Sequence, residues 1–112
     1  MSLVAEQWAF LQDVCRLVEK AKELGFVVTG GELFRTVEQQ RIHFNAGRSK
    51  TMNSVHMKRC AIDFNFFKDG KLIWDKTTLA PLGEYWESLH EKNRWGGNFR
   101  SLVDVPHFER NV

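Results

Sequence analysis

The stretch Cys60-Ala-Ile-Asp-Phe-Asn-Phe-Phe-Lys-Asp-Gly-Lys-Leu-Ile-Trp74 constrains the fold more than any other part of the chain. Strand side chains alternate between two faces, so a period of two puts Ile62, Phe64 and Phe66 on one side and Ala61, Asp63 and Asn65 on the other. The aromatic side needs a core to face, and Asp63 then looks away from it. Asp69-Gly70 tolerates the positive φ angles of a tight hairpin turn, so Leu72-Ile-Trp74 is expected to return alongside as an antiparallel strand. An antiparallel sheet is therefore the expected centre of the fold.

Helices are expected on either side of this hairpin. Val4, Trp8, Leu11, Cys15, Val18 and Leu24 fall at helical spacing, and Gly25 stands where a C-terminal glycine belongs. They predict an amphipathic helix whose stripe, Trp8 included, covers the core. Phe26-Val-Val-Thr29 reads as a short strand ended by Gly30-Gly31. Thr36 with Gln39 three residues on forms a capping box, which starts a second helix running to Gly47. A third begins near Thr77, with Pro81 in its first turn and Leu82, Tyr85, Trp86 and Leu89 buried, and fades by Asn93. Arg48 to Asn53 has no periodicity and is expected to be a loop.

With 112 residues the chain suffices for one domain, spanning residues 1–112, with an adequate but small core. Nine Phe and four Trp must fill much of it. A net charge of +2, with Lys and Arg dispersed along the chain, argues against nucleic acid as a partner and suits loose attraction to anionic polymers. Cys15 and Cys60 sit in no CxxC pair and have apolar neighbours, so buried free thiols are expected. The start, Met-Ser-Leu-Val-Ala-Glu-Gln, lacks the basic region and apolar run of a secretory signal, and no stretch approaches the ~20 apolar residues of a membrane span. The expectation is a soluble, monomeric product made in the cytoplasm and not directed to a membrane.

Two segments carry chemistry. Ser54-Val-His56 to Asp63 and Asp104-Val-Pro-His107 together offer His56, Asp63 and His107, a donor set that suits one zinc ion keeping a position open for water. Asp104 is a spare carboxylate, and a hydrolytic site needs such a base to move the proton of the attacking water to the leaving amine. Two histidines and a carboxylate also serve non-haem iron, but those sites usually use His-x-Asp/Glu, whereas six residues separate His56 from Asp63 here. Seven extended steps would hold these two roughly 23 Å apart, so the chain must double back at Met57–Arg59. Asp104 and His107, three apart, need a bend at Pro106 to meet. Lone helical histidines are commonly structural, and His43 is read that way, whereas His90, in a charged neighbourhood at a helix end, is read as a surface histidine.

Ser-x-His, six residues, Asp, then Trp95-Gly-Gly-x-Phe99 and Asp104-x-x-His107 resemble the zinc peptidases of bacterial cell walls, over about Gly30 to Phe108. That family includes VanY-type D-Ala-D-Ala carboxypeptidases and phage endolysins cutting the L-Ala-D-Glu bond. The resemblance implies a single α+β domain of the hedgehog/D-Ala-D-Ala-peptidase type: a central antiparallel sheet, helices packed on it, and a zinc site in a cleft on the sheet. It implies that Arg35, at the matching position before a Thr and a Glu-Gln pair, steadies the oxyanion or binds a substrate carboxylate. It also implies that Ser54 and the segment containing Trp95 contact substrate. Many members have glycine where Arg59 stands. The implied function is a zinc-dependent peptidoglycan peptidase, endolysin-like and cutting L-alanyl-D-glutamate in the stem peptide, that reaches the wall once another factor lets it out. A D-Ala-D-Ala carboxypeptidase and a zinc-stabilised binding module without turnover are the alternatives.

Overall fold

The computed structural model describes residues 2–112, which form a five-stranded antiparallel sheet with three α-helices. Helix α1 (Leu3–Glu23) is followed by β1 (Val27–Gly30), α2 (Val37–Asn45), a 3-10 turn at Val55–Lys58 and the long strand β2 (Ala61–Lys68). Then come β3 (Lys71–Leu72), α3 (Lys76–Leu89), β4 (Asn93–Trp95), a second 3-10 turn at Gly96–Asn98 and β5 (His107–Arg110). The strand order is β1-β2-β5-β4, with β3 also paired to β2. The last strand in sequence thus lies inside the sheet.

Alternation along β2 and β5 divides the molecule. Phe64 and Phe66 meet Phe108 with ring centroids 6.0 and 5.8 Å apart, and Phe108 meets Trp86 of α3, which meets Phe10 of α1. This edge-to-face chain is the core, and the two helices cover it. Arg110 has the parity of Phe108 and reaches the same side, where its Nε donates to Glu6 of α1 at 2.5 Å. Asp63, His107 and Glu109 have the opposite parity. They are left for the other face.

The hairpin turn forms at Asp69 and Gly70, both with positive φ (52° and 76°), and the returning strand stops at Leu72 rather than continuing to Trp74. The capping box at Thr36 and Gln39 is present. Three expectations are corrected. On α1 the buried apolar residues are Phe10, Val14, Leu17 and Ala21, while Val4, Trp8, Leu11 and Val18 are exposed, Trp8 at 63%. Two apolar stripes run along this helix about one residue apart, and the buried one is flanked by Glu6 and Asp13, which meet Arg110, Lys92 and Asn93. Cys15 shares the outer stripe and is exposed, so only Cys60 is a buried thiol. In α3 the N-cap is Asp75, which puts Pro81 in the second turn, and the helix ends at Leu89 so that Asn93 opens β4.

Candidate metal centre

Sheet register makes the first contact of the site. Asp63 on β2 and His107 on β5 are direct antiparallel partners, so their side chains leave the same face as nearest neighbours. The third member arrives by the reversal at residues 57–59: Ser54 Oγ accepts from the His56 N–H and caps the 3-10 turn, and Arg59 closes it at φ 56°, ψ 34°. That left-handed conformation is why glycine suits position 59. Arg59 fills it with its guanidinium 4.1 Å above the Phe34 ring.

The three donors converge. His56 Nε2 lies 3.2 Å from His107 Nδ1, Asp63 Oδ1 lies 3.3 Å from His107 Nδ1, and His56 Nε2 lies 3.5 Å from Asp63 Oδ1. All three groups fall within the span of one metal ion. The far ring nitrogens are also anchored: His56 Nδ1 sits 3.0 Å from the Leu33 carbonyl, and His107 Nε2 sits 2.7 Å from Glu109 Oε1. Each acceptor holds the proton on the far nitrogen and turns the near one toward its neighbours. Glu109 is itself held by Arg94, whose Nε and Nη2 both reach Oε2.

Charge in the cluster follows from these contacts. Burial works against ionised Asp63, but hydrogen bonds with His107 and His56 outweigh it and hold the carboxyl below the usual carboxylate range. Burial likewise opposes a charged His107, yet the Asp63 and Glu109 carboxylates raise it to about 9. Without a metal, this imidazole keeps both protons at neutral pH.

Asp104 stands beside the triad, its Oδ2 3.9 Å from His107 Nδ1. The bend anticipated at Pro106 is a turn in which the His107 N–H donates to the Asp104 carbonyl at 3.1 Å. Gly96 makes room for that turn: a Cβ there would come within 2.1 Å of the Asp104 carbonyl oxygen and 2.9 Å of the His107 Cβ. Burial pushes the Asp104 carboxyl upward while His107 opposes the shift. A raised proton affinity is the direction a general base needs.

Arg35 is buried and braced by Glu32 and by Gln40, whose Oε1 accepts from Nη1 at 2.7 Å. Glu32 and Gln40 engage three of the five guanidinium N–H groups, leaving two on a side chain that lines the cleft. Ser54 also lines this cleft of about 530 Å³, together with His56, His107 and Asp104. Trp95 does not. It is 1% exposed, packs against Gly83 and Gly97, and donates Nε1–H to the Val105 carbonyl, so it supports the cleft from beneath while Phe99 provides the aromatic wall.

Sequence reasoning missed Glu109, the Leu33 carbonyl and the brace on Arg35. The first had a signal, because His107-x-Glu109 in a strand places both side chains on one face. The other two depend on contacts between distant segments.

Residues 47–110 match the family model described as D-alanyl-D-alanine carboxypeptidase. The chain belongs to this family. It is 30% identical over 97 residues to the L-alanyl-D-glutamate peptidase of Listeria phage A118, a match covering 86% of this chain and 34% of that protein. The chain thus spans about a third of that curated relative. Its fold matches the crystal structure of the Serratia marcescens L-Ala D-Glu endopeptidase ChiX with a TM-score of 0.69 and 25% identity, over 88% of this chain and 78% of that one.

Proposed function

We propose that this chain is a zinc-dependent peptidoglycan peptidase that cleaves the L-alanyl-D-glutamate bond of the stem peptide. The observation that carries the reading is the donor triangle, with sides of 3.2, 3.3 and 3.5 Å. Four tetrahedral donors about 2.05 Å from one zinc stand about 3.3 Å apart, so His56, Asp63 and His107 already have the separations that such an ion needs. The names of both relatives support the choice of bond.

Bound zinc would polarise the scissile carbonyl and lower the pKa of its water. His56 Nε2, His107 Nδ1 and Asp63 Oδ1 would hold it. Asp104, beside the triad and not part of it, takes the proton of the attacking water and delivers it to the departing amine of D-glutamate. Arg35 directs its two remaining N–H groups to the developing oxyanion, an electrostatic contribution that costs no reorganisation because Glu32 and Gln40 already fix the guanidinium. Ser54 shapes the turn that presents His56 and lies where substrate passes. No helix among the described residues is long and apolar enough to cross a membrane. Synthesis in the cytoplasm, with admission to the wall by another factor, is part of the proposal.

Digestion of purified sacculi by the zinc-loaded protein, followed by mass spectrometry, tests the reading. New amino-terminal D-glutamate and carboxy-terminal L-alanine are expected. The family description favours one alternative, a D-Ala-D-Ala carboxypeptidase, which would release free D-alanine instead. Asp104→Ala should keep zinc and lose cleavage. Retention of uncut peptides by the wild type would mark a binding module.

A further inference from the structure

The charges dispersed along the sequence gather in space. Arg35, Arg48, Lys50, Lys58, Arg94 and Arg100 all line the cleft, against the carboxylates Asp104 and Glu109. The whole chain carries a net charge of +2, so a lining with four surplus cations leaves the rest of the molecule net negative. Two of the six are neutralised within the protein, Arg35 by Glu32 and Arg94 by Glu109. Lys58 gives its Nζ to the Val112 carbonyl, and Arg48 donates to His43. Among the described residues, Lys50 and Arg100 form no ion pair with a carboxylate, and both are exposed at the cleft. They come from different loops, the one after α2 and the one before β5, that border the same cavity.

Cations collected in a cleft repel one another, and their field is focused by the low-dielectric walls until a ligand brings the opposing charge. Cleavage before D-glutamate puts such a charge close to the reacting carbonyl, because this residue is joined onward through its side chain and its own α-carboxyl is free unless the wall amidates it. Resting on the peptidase reading above, we propose that the cleft selects stem peptides whose D-glutamyl carboxyl is free, with Lys50 and Arg100 as the residues that recognise it. A carboxylate accepts charge-assisted hydrogen bonds from both, whereas the amide keeps the shape, loses the charge and turns an N–H toward two cations.

The test compares two synthetic stem peptides differing only in that carboxylate or carboxamide. For the zinc-loaded wild type, kcat/KM for the acid should exceed that for the amide by about tenfold or more, the worth of one charge-assisted hydrogen bond. Lys50→Gln with Arg100→Gln should bring the ratio toward one by slowing the acid peptide alone, while Lys71→Gln on the distant hairpin leaves it unchanged. Equal cleavage of both peptides by the wild type, or an undiminished ratio in the double variant, overturns the proposal. Polyphosphate is added as a competitor. Inhibition that depends on Lys50 and Arg100 with an acid-to-amide ratio of one assigns these cations to wall-polymer phosphates and also overturns it. Calorimetric affinities of both peptides for Asp104→Ala separate this question from catalysis. If the wild type cuts neither peptide, the peptidase reading fails while tighter binding of the acid upholds the selectivity; no binding of either defeats both.

Discussion

Glu109→Gln isolates the contribution of an anchored imidazole to metal binding. Glu109 is 5% exposed and its Oε1 lies 2.7 Å from His107 Nε2, so the isosteric amide can still accept that proton without leaving a hole. What changes is charge. A hydrogen bond to a neutral acceptor is worth roughly half of one to a carboxylate, and a less polarised imidazole is a poorer donor to the ion. Arg94 loses its partner, but half of its side chain is already in solvent, so that loss should matter little. Removing such an outer anchor typically weakens a metal by about 10–100-fold, or about 1.4–2.7 kcal/mol. Competition against a chromophoric chelator at neutral pH measures the dissociation constant directly, with circular dichroism as the check on folding. Glu109→Ala should do worse, since it strands the buried Nε2–H. A Glu109→Gln dissociation constant within about twofold of wild type, in a folded protein, would refute the reasoning.

Three further outcomes are expected. The metal-free His107 holds its second proton to about 9, and a ligand nitrogen must give it up, so apparent zinc affinity should rise about tenfold per pH unit until pH approaches that value; a flat profile over neutral pH would contradict it. Glu6 is held at about 2, below its ordinary 4.5, by hydrogen bonds from Arg110 and Lys92. The unfolded chain binds the proton more readily, so this stabilisation is complete above about 4.5 and lost as pH falls toward 2; urea titrations should show Glu6→Gln less stable at neutral pH and less acid-sensitive across that window. Arg59→Gly removes a left-handed penalty of about 1–2 kcal/mol but also loses about 0.5–1 kcal/mol each from backbone entropy and the Phe34 stack, so its stability should lie within about 1 kcal/mol of wild type, while Arg59→Val keeps the penalty and is clearly destabilised in the same unfolding assay.

The parts of this fold that were legible are those with local causes. Alternation from Ile62 to Phe66 sorts Asp63 from the aromatics, Asp69-Gly70 marks the turn, and Thr36 with Gln39 caps a helix, each within a few residues. The orientation of α1 was not legible. Both of its apolar stripes have helical period, and the choice rests on Glu6 and Asp13 lying on the buried face, where Arg110, Lys92 and Asn93 meet them from across the chain. The candidate ligands could be nominated by residue type, but their meeting depends on the pairing of Asp63 with His107, which joins positions 44 residues apart. The burial of Trp95 and the gathering of cations at the cleft likewise arise only when distant loops come together.

Because β5 inserts between β2 and β4, it joins a partner distant in the chain to the strand that precedes it and presents His107 from the middle of the sheet. A ribosome-bound chain that has not yet released residue 107 has a gap where its sheet should be continuous and one imidazole too few to capture the ion. Such non-local closure is slow compared with helix formation. Completion of the sheet and assembly of the donor triad are therefore one event: until β5 docks against β2, Asp63 has no His107 opposite it.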